Sequence, residues 1–368
     1  MANAPAVARL MGALGDLDPG SLERYELHLG GLTIPTVVGV GAWSHLGQLI
    51  PTSWSKVAIV TQSAIPGRFA VPFDATWVVV PAGEAAKRMA VAESLAERLI
   101  ALGMERRGGL IAVGGGVVTD LVGFVAATFM RGIEYLNVPT TLLGMVDAAI
   151  GGKTGVNLVG GKNLVGSFHQ PTALLCDLSL LATLPRREWL SGAGELAKYS
   201  FLTREVIADL NLADQVRAAQ HLKEAYVAGD EREMGRRSLL NYGHTLGHAI
   251  EGFYLGRGQD GAISHGEAVA VGLVFAAELA RRLGRIDQAR VDYHHDVVTS
   301  YGLRHELPKD PSIDSLVRYL RADKKNRGGL TFVLDGPVGL ELVHEVDESL
   351  VRQVLEEYPR RELIDGER

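Results

Sequence analysis

One cysteine stands in the 368 residues. A lone Cys176 excludes an internal disulfide and any zinc cage built from cysteines. It lies in the apolar run Ala173–Cys176, which predicts a buried, inert thiol rather than a nucleophile. Positive charge is not in excess either. With 37 Lys and Arg against 43 Asp and Glu, the net charge is −6, so nothing recommends a nucleic-acid partner. No apolar run approaches the ~20 residues of a membrane span. The first ~20 residues hold no basic stretch followed by a sustained apolar core, so no signal peptide is expected and the expected location is cytoplasmic. Internal repeats and low-complexity tracts are also missing.

Glycine is plentiful, with 44 residues, many of them clustered. The length is sufficient for two domains with separate cores. Residues 1–22 read as an N-terminal extension. Over residues 23–180, apolar runs at Val57–Thr61, Trp77–Val80, Leu110–Val113, Tyr135–Val138 and Ala173–Cys176 alternate with helical patterns. One such pattern is Ala85–Leu102, with apolar residues at Met89, Ala92, Leu95, Leu99 and Leu102. This alternation predicts a mostly parallel, doubly wound, Rossmann-like sheet. Residues 181–368 are almost wholly helical in pattern, with late strands only at Leu330–Leu334 and near Leu340–Val343. A ligand site between two such halves is the default expectation.

The glycine clusters fall at strand-to-helix turns. Ala112-Val-Gly-Gly-Gly116 follows a strand and opens the helical stretch Val117–Met130, where free N–H groups and a dipole end favour a phosphate. A nucleotide loop and a simple tight turn are both open readings. Asp120 is either a charge on the helix start or a cofactor contact. Pro81-Ala-Gly-Glu84-x-x-Lys87 is a second charged turn. Pro139-Thr-Thr141, Gly151-Gly-Lys153 and Gly160-Gly-Lys-Asn163 follow, placing Lys153, Lys162 and Asn163 in glycine-rich turns suited to anions.

Glu233, Arg237, Asn241, His244, His248 and Glu251 form a polar stripe. On one α-helix all six fall within an arc of about 80°. A solvated helix face would carry Lys, Glu and Gln in i,i+4 pairs. Two imidazoles, an amide, a guanidinium and carboxylates instead suit a metal and an anionic, hydroxyl-rich substrate. Segment Arg186–Phe201 carries Glu195 and Lys198 on one face, and His265 precedes the apolar helix Ala268–Leu283. Glu195, one stripe histidine and His265 would make a three-ligand N/O zinc set with a position left for substrate.

These residues resemble the 3-dehydroquinate synthase family of sugar-phosphate cyclases over about residues 30–355. The motifs are Gly114–Asp120, Phe129-Met-Arg-Gly132, Pro139-Thr-Thr141, Asp147 through Lys153, Gly161-Lys-Asn163, Glu195-x-x-Lys198, Asn241-Tyr-Gly-His-Thr-Leu-Gly-His-Ala-Ile-Glu251, Ser264-His-Gly-Glu-Ala268 and Asp323-Lys-Lys325. The resemblance implies an NAD-binding α/β domain followed by a mostly α-helical metal domain. It implies Glu195, His244 and His265 as ligands of zinc, with Co2+ as the alternative ion. Arg131, Lys153, Asn163, Lys198, Lys223, Arg237, Asn241 and Lys324 match substrate-contacting positions, and Asp147 and Glu233 match acidic positions in the same cleft. His248 matches a histidine that holds the substrate phosphate and assists proton movement. Glu84, Lys87, Gly115, Gly116, Asp120 and Thr140 match NAD contacts. The expected cofactor set also takes in Val117, Thr141, Lys153, Lys162, Thr183 and Glu188. Glu251 shares the stripe, and a structural helix-end carboxylate explains it equally well.

The implied substrate is 3-deoxy-D-arabino-heptulosonate 7-phosphate. NAD+ oxidises a ring hydroxyl that zinc polarises, phosphate leaves by β-elimination, the hydride returns, and ring opening with an intramolecular aldol step closes the carbocycle. A homodimer is implied by resemblance only. Two departures stand out. The segment between Lys198 and Lys223 is shorter than the family leads one to expect. Gln62 stands where an acidic residue or Asn often meets the adenosine ribose. An amino-substituted sugar phosphate is the nearest alternative substrate. A metal-dependent polyol dehydrogenase is the alternative of another class, opposed by Lys153, Asn163 and Arg237, since a polyol needs no phosphate clamp. A non-catalytic binding protein would have little reason to keep the whole stripe.

Overall fold

The computed structural model describes residues 11–12, 15, 17, 20–62, 70–158, 161–203, 207–259, 261–322 and 329–363. The chain divides into two compact units. One comprises Ala13–Leu184 with Leu212–Glu233, the other Met1–Gly12, Pro185–Asn211 and Met234–Arg368.

The first unit is built on seven strands. They are β1 (Leu22–Leu29), β2 (Leu32–Gly39), β3 (Val57–Gln62), β4 (Thr76–Val80), β5 (Gly109–Gly114), β6 (Glu134–Pro139) and β9 (Leu174–Asp177), in the order β1-β2-β9-β6-β5-β3-β4. Only β1 and β2 pair antiparallel; all other pairings are parallel. The five strand segments expected from the apolar runs lie in β3, β4, β5, β6 and β9. The β1–β2 hairpin is an addition to them. Its turn is Gly30-Gly31, both at positive φ (58° and 76°), the backbone that a two-residue turn of right-handed twist requires.

Both faces of the parallel strands are covered, so their residues are apolar without alternation. Ala58, Val60, Leu110 and Ala112 pack with Leu95 and Leu99 of α1 (Met89–Ala101) and Leu121 and Val122 of α2 (Gly116–Thr128). Ile59, Ile111, Val113, Leu136 and Val138 pack on the other face with Ala42 and Leu46. Each fully buried Val, Leu or Ile contributes roughly 1.5–3 kcal/mol of transfer free energy. Cys176 is buried among these strands, and burial pushes its thiol up to about 12, which keeps it inert as expected.

Of the glycine-rich turns expected at 151–163, Gly151-Gly152 bend at positive φ (86° and 68°) and lead into a hairpin of β7 (Lys153–Leu158) and β8 (Gly161–Phe168). Glycine permits close backbone approach within this hairpin. A Cβ on Gly166 would stand 2.2 Å from the Thr154 carbonyl oxygen. A later helix, α4 (Leu212–Val227), also belongs to this unit. Gln220 donates to the Met145 carbonyl at 2.8 Å and accepts from the Tyr25 hydroxyl at 2.5 Å.

The second unit contains helices α3 (Arg186–Thr203), α5 (His244–Gly256), α6 (His265–Arg282), α7 (Gln288–Ser300), α8 (Ile313–Ala322) and α9 (Glu348–Glu357). Strands Leu330–Leu334 and Glu341–Val346 form a hairpin near the expected positions. Helix α6 starts with a capping box between Ser264 and Glu267, and its turns Ala268–Ala277 are entirely buried. Helices α3 and α6 touch at glycines. A Cβ on Gly194 would lie 2.3 Å from the Gly266 Cα.

The stripe over residues 233–251 is not one helix. Arg236–Asn241 is a 3-10 segment, Tyr242 is extended (ψ 128°), and Gly243 turns left-handed (φ 78°) before α5 begins at His244. Glu233 lies further back, itself at positive φ (58°) and in the first unit. The polar spacing matched a helical period, yet Gly243 supplies a break at no steric cost. Against Leu273 it could carry no side chain, since a Cβ would stand 2.8 Å from Cγ.

Candidate active site

Strands β3, β4, β5, β6 and β9 run in the order β4-β3-β5-β6-β9, so the chain steps from β3 to one side and then crosses back to the other. Open parallel sheets bind ligands at such a switch point, beyond the carboxyl ends of the two strands that flank it. Those ends are Thr61-Gln62 on β3 and Gly114–Gly116 after β5. Gly115 caps α2 with no side-chain acceptor, leaving the first N–H groups of that helix for an anion. Thr61 Oγ1 is buried and makes no hydrogen bond among the described residues. Gln62 donates its amide to the Gly83 carbonyl at 3.3 Å. The chemistry of this crevice suits the pyrophosphate and ribose of a dinucleotide.

A polar network lies beside it. Lys87 pairs with Asp120 of α2. Burial pushes the Asp120 carboxyl up, and the Lys87 ammonium offsets this only in part. Asn157 on β7 donates to Glu84 at 2.6 Å and accepts from the Asn163 backbone N–H at 2.8 Å, while its own N–H donates to the Lys87 carbonyl at 2.8 Å. Asn163 sits at positive φ (56°), a conformation that this contact helps hold. Thr140 donates its N–H to the Gly114 carbonyl, and Thr141 Oγ1 accepts from Gly144 N–H.

The second unit gathers Glu195, His244 and His265. One ligand atom from each lies within 4.8 Å of the others. The Nε2 atoms of His244 and His265 stand 3.2 and 3.1 Å from Glu195 Oε1. Glu195 Oε2 pairs with Lys198, one turn along α3. Burial alone would push the Glu195 carboxyl up. The Lys198 ammonium and the His244 imidazole outweigh it and hold the carboxyl well below the usual range. The His244 Nδ1 meets the Tyr242 carbonyl at 3.0 Å, which directs Nε2 at Glu195 and makes it the nitrogen that would ligate a metal. One carboxylate oxygen and two imidazole nitrogens, converging with no cysteine, form a donor set that fits zinc or cobalt.

The family profile for the 3-dehydroquinate synthase N-terminal part matches residues 77–191, and the profile for its C-terminal part matches residues 192–326. The chain belongs to the 3-dehydroquinate synthase family. It is an enzyme of the lyase-type cyclase kind. A 3-dehydroquinate synthase of Mycobacterium leprae (strain TN) is 44% identical over 326 residues, which is 82% of this chain and 88% of that protein. A candidate aminodehydroquinate synthase of Amycolatopsis mediterranei (strain S699) is 44% identical over 332 residues, 89% of this chain and 92% of that protein. A solved structure of 2-deoxy-scyllo-inosose synthase, complexed with carbaglucose-6-phosphate, NAD+ and Co2+, aligns with a TM-score of 0.80 at 27% identity, covering 91% of this chain and 100% of that one.

Residues expected to meet the family's substrate occur in both units. In the first, Lys223 of α4 reaches Asp147 with 2.9 Å to Oδ1 and 2.7 Å to the backbone carbonyl. Asp147 belongs to a π-helical turn, Gly144–Ala148, an irregularity frequent at functional sites. Lys153 pairs with Glu233. Arg131 is exposed, and it and Met130 both hold positive φ (68° and 51°), a strained pair of non-glycine residues. In the second unit, Lys198 and Arg237 are buried, Asn241 donates to the Ser238 carbonyl at 2.9 Å, and exposed His248 has its ring 5.2 Å from that of His244.

The expected cofactor residues Glu84, Lys87, Gly115, Gly116, Val117, Asp120, Thr140 and Thr141 cluster at the β5–α2 turn and the segments next to it. Lys162 is exposed on β8. Thr183 is exposed at the end of the turn Leu178–Thr183, and Glu188 lies in the first turn of α3, in the second unit. Lys324 lies outside the described residues. One residue escaped the sequence reading. Asn157 could have been suspected as a polar residue inside the alternating run Lys153–Leu158. Glu251, a member of the stripe for which a structural helix-end role served equally well, stands in the middle of α5 with both carboxylate oxygens 3.4 Å from His265 Nδ1. Among the described residues no helix is long and apolar enough to cross a membrane.

Proposed function

We propose that this enzyme is a 3-dehydroquinate synthase that converts 3-deoxy-D-arabino-heptulosonate 7-phosphate to 3-dehydroquinate and phosphate. The observation that carries the reading is the convergence of Glu195, His244 and His265 on one point in a member of this family. NAD+ would bind at the Gly114–Gly116 turn, and Glu195, His244 and His265 would hold zinc. When bound, these groups supply a reversible hydride acceptor and a Lewis acid for one substrate hydroxyl.

The chain's own residues then hold and orient. Lys223 and Lys153 are each aimed by a carboxylate, Asp147 and Glu233, so their ammonium groups are placed before substrate arrives. With Arg131, Asn163, Arg237 and Asn241 they would bind the phosphate and carboxylate of the substrate. Lys198 keeps the buried Glu195 ionised, hence able to ligate. His248, exposed next to His244, would carry a proton to the departing phosphate. A cytoplasmic homodimer is part of the same proposal, open to sedimentation and cell fractionation.

The 44% identity to a candidate aminodehydroquinate synthase favours a second reading, in which the substrate carries an amino group. Purified enzyme with NAD+ and Zn2+ should release phosphate from the heptulosonate phosphate; no release would sink the main reading. A higher kcat/KM for the amino substrate, measured side by side, would favour the second. Steady accumulation of NADH from a polyol would instead favour a dehydrogenase.

A further inference from the structure

Helix α5 carries His244 in its first turn and Glu251 seven residues on, two turns along the same face. His265 opens α6. Its Nε2 points to Glu195 Oε1 at 3.1 Å, and its Nδ1 stands 3.4 Å from each oxygen of Glu251. The two imidazoles of the triad are therefore held alike. Each turns Nε2 inward and offers Nδ1 to an acceptor, the Tyr242 carbonyl for His244 and a carboxylate for His265. A group that only solvated the helix would point away. The Glu251 side chain is instead 26% exposed and faces a ring that is equally sheltered.

We propose that Glu251 is a positioning residue for the metal: its carboxylate accepts the Nδ1 proton of His265, orients the ring, and keeps Nε2 as the ligand atom. The physical basis is general. An imidazole that donates its second N–H to a carboxylate has one fixed tautomer and a more basic ligand nitrogen, and loss of such a partner commonly lowers metal affinity about 10–100-fold. The neutral carbonyl behind His244 fixes the tautomer there with less effect on basicity. Both histidines begin helices, where the dipole disfavours extra positive charge, and Glu251 adds negative charge behind His265 alone. The inference rests on the proposed metal reading and extends it outward by one residue.

The experiment is a zinc-affinity measurement by chelator competition on the full chain, without substrate, paired with melting of the metal-free protein. Parent protein should bind zinc and His265→Ala should not. Glu251→Ala should weaken zinc about 10–100-fold and Glu251→Gln by less, with the metal-free melting temperature nearly unchanged. Zinc affinities within about two-fold of the parent for both Glu251 variants would overturn the proposal while leaving the ligand set intact. A loss of zinc that only tracks a loss of metal-free stability would overturn it too. A visible spectrum of the Co2+ form changed as much in Glu251→Gln as in His265→Ala would make Glu251 a ligand rather than a positioning group. If the parent does not bind zinc, or His265→Ala still does, the metal reading itself fails and takes this proposal with it.

Discussion

Lys198 pairs with Glu195 across one turn of α3 inside the protein, with Lys198 1% and Glu195 0% exposed. A pair sealed in this way gains little over an apolar pair, yet losing one partner strands the other as an uncompensated buried charge, at about 3–5 kcal/mol. Lys198→Met should therefore destabilise the metal-free protein by about that amount. Zinc ligated by Glu195 would supply the missing positive charge, so the loss should be smaller in the zinc-loaded protein. Chemical denaturation of both forms checks this; an equal loss in both would separate Lys198 from the charge balance of the metal site.

The contact of α3 with α6 sets the spacing of Glu195 and His265, and it depends on two glycines that precede or follow those ligands by one residue. A Cβ added at Gly194 would lie 2.3 Å from the Gly266 Cα and 2.5 Å from its carbonyl oxygen. Backbone cannot yield as a side-chain tip can. Gly194→Ala should cost about 1–3 kcal/mol or more by overpacking, and should weaken zinc binding as the helices part. Gly284→Ala is a control of another kind: no atom lies within 4 Å of its Cβ, and only its φ of 69° opposes the change. A Gly194→Ala variant with parental stability and zinc affinity would show that the helices are not in contact there.

The sheet was legible because its strands are buried on both faces and so read as plain apolar runs, from Val57 to Cys176. Strand β1 was harder to see, since only one side of its LERYELHL pattern is buried. The glycines at 151–166 marked a place where backbones meet, and a hairpin satisfies that as well as an anion turn does. Periodicity alone misled at residues 233–251, where Arg237 and Asn241 keep helical spacing with His244 although Gly243 interrupts the helix. The ligand histidines were legible as residue types. Their Nδ1 partners were not, because Tyr242 contributes a backbone carbonyl, which every residue has, and Glu251 is brought to His265 by packing of α5 on α6.

His294 gives the second unit a pH dependence. Its ring is wholly buried and stacks on Phe201 at 4.1 Å between centroids. Its Nδ1 meets the Arg290 carbonyl at 2.7 Å and must carry the proton, so Nε2 accepts from the Tyr242 hydroxyl at 2.7 Å. Burial lowers this histidine to about 4, with the Arg290 carbonyl opposing and the Arg290 charge adding to the shift. In the unfolded chain it would titrate near 6.5. Between those values the unfolded state binds more protons, so stability from this group is full above about pH 6.5 and is lost as pH falls toward 4. His294→Gln should flatten the denaturation midpoint between about pH 6.5 and 4 relative to the parent. An unchanged slope would assign the acid sensitivity to other groups.

Asn157 joins two segments expected to serve different ligands, Glu84 and Lys87 on one side and Asn163 on the other. It is 6% exposed, so each of its bonds is made without competition from water. Asn157→Ala strands the Asn163 N–H and should cost about 1–3 kcal/mol. Asn157→Asp keeps the size and the acceptor for Asn163 but turns a donor 2.6 Å from Glu84 into a second carboxylate. Two carboxylates at that separation cannot both ionise, and one of them takes up a proton at raised pH. The aspartate variant should therefore melt below the alanine variant near pH 8 and recover on it as the pH approaches about 5, where the pair shares a proton. Melting curves that run parallel for the two variants across that range would mean that Glu84 does not face residue 157 in solution.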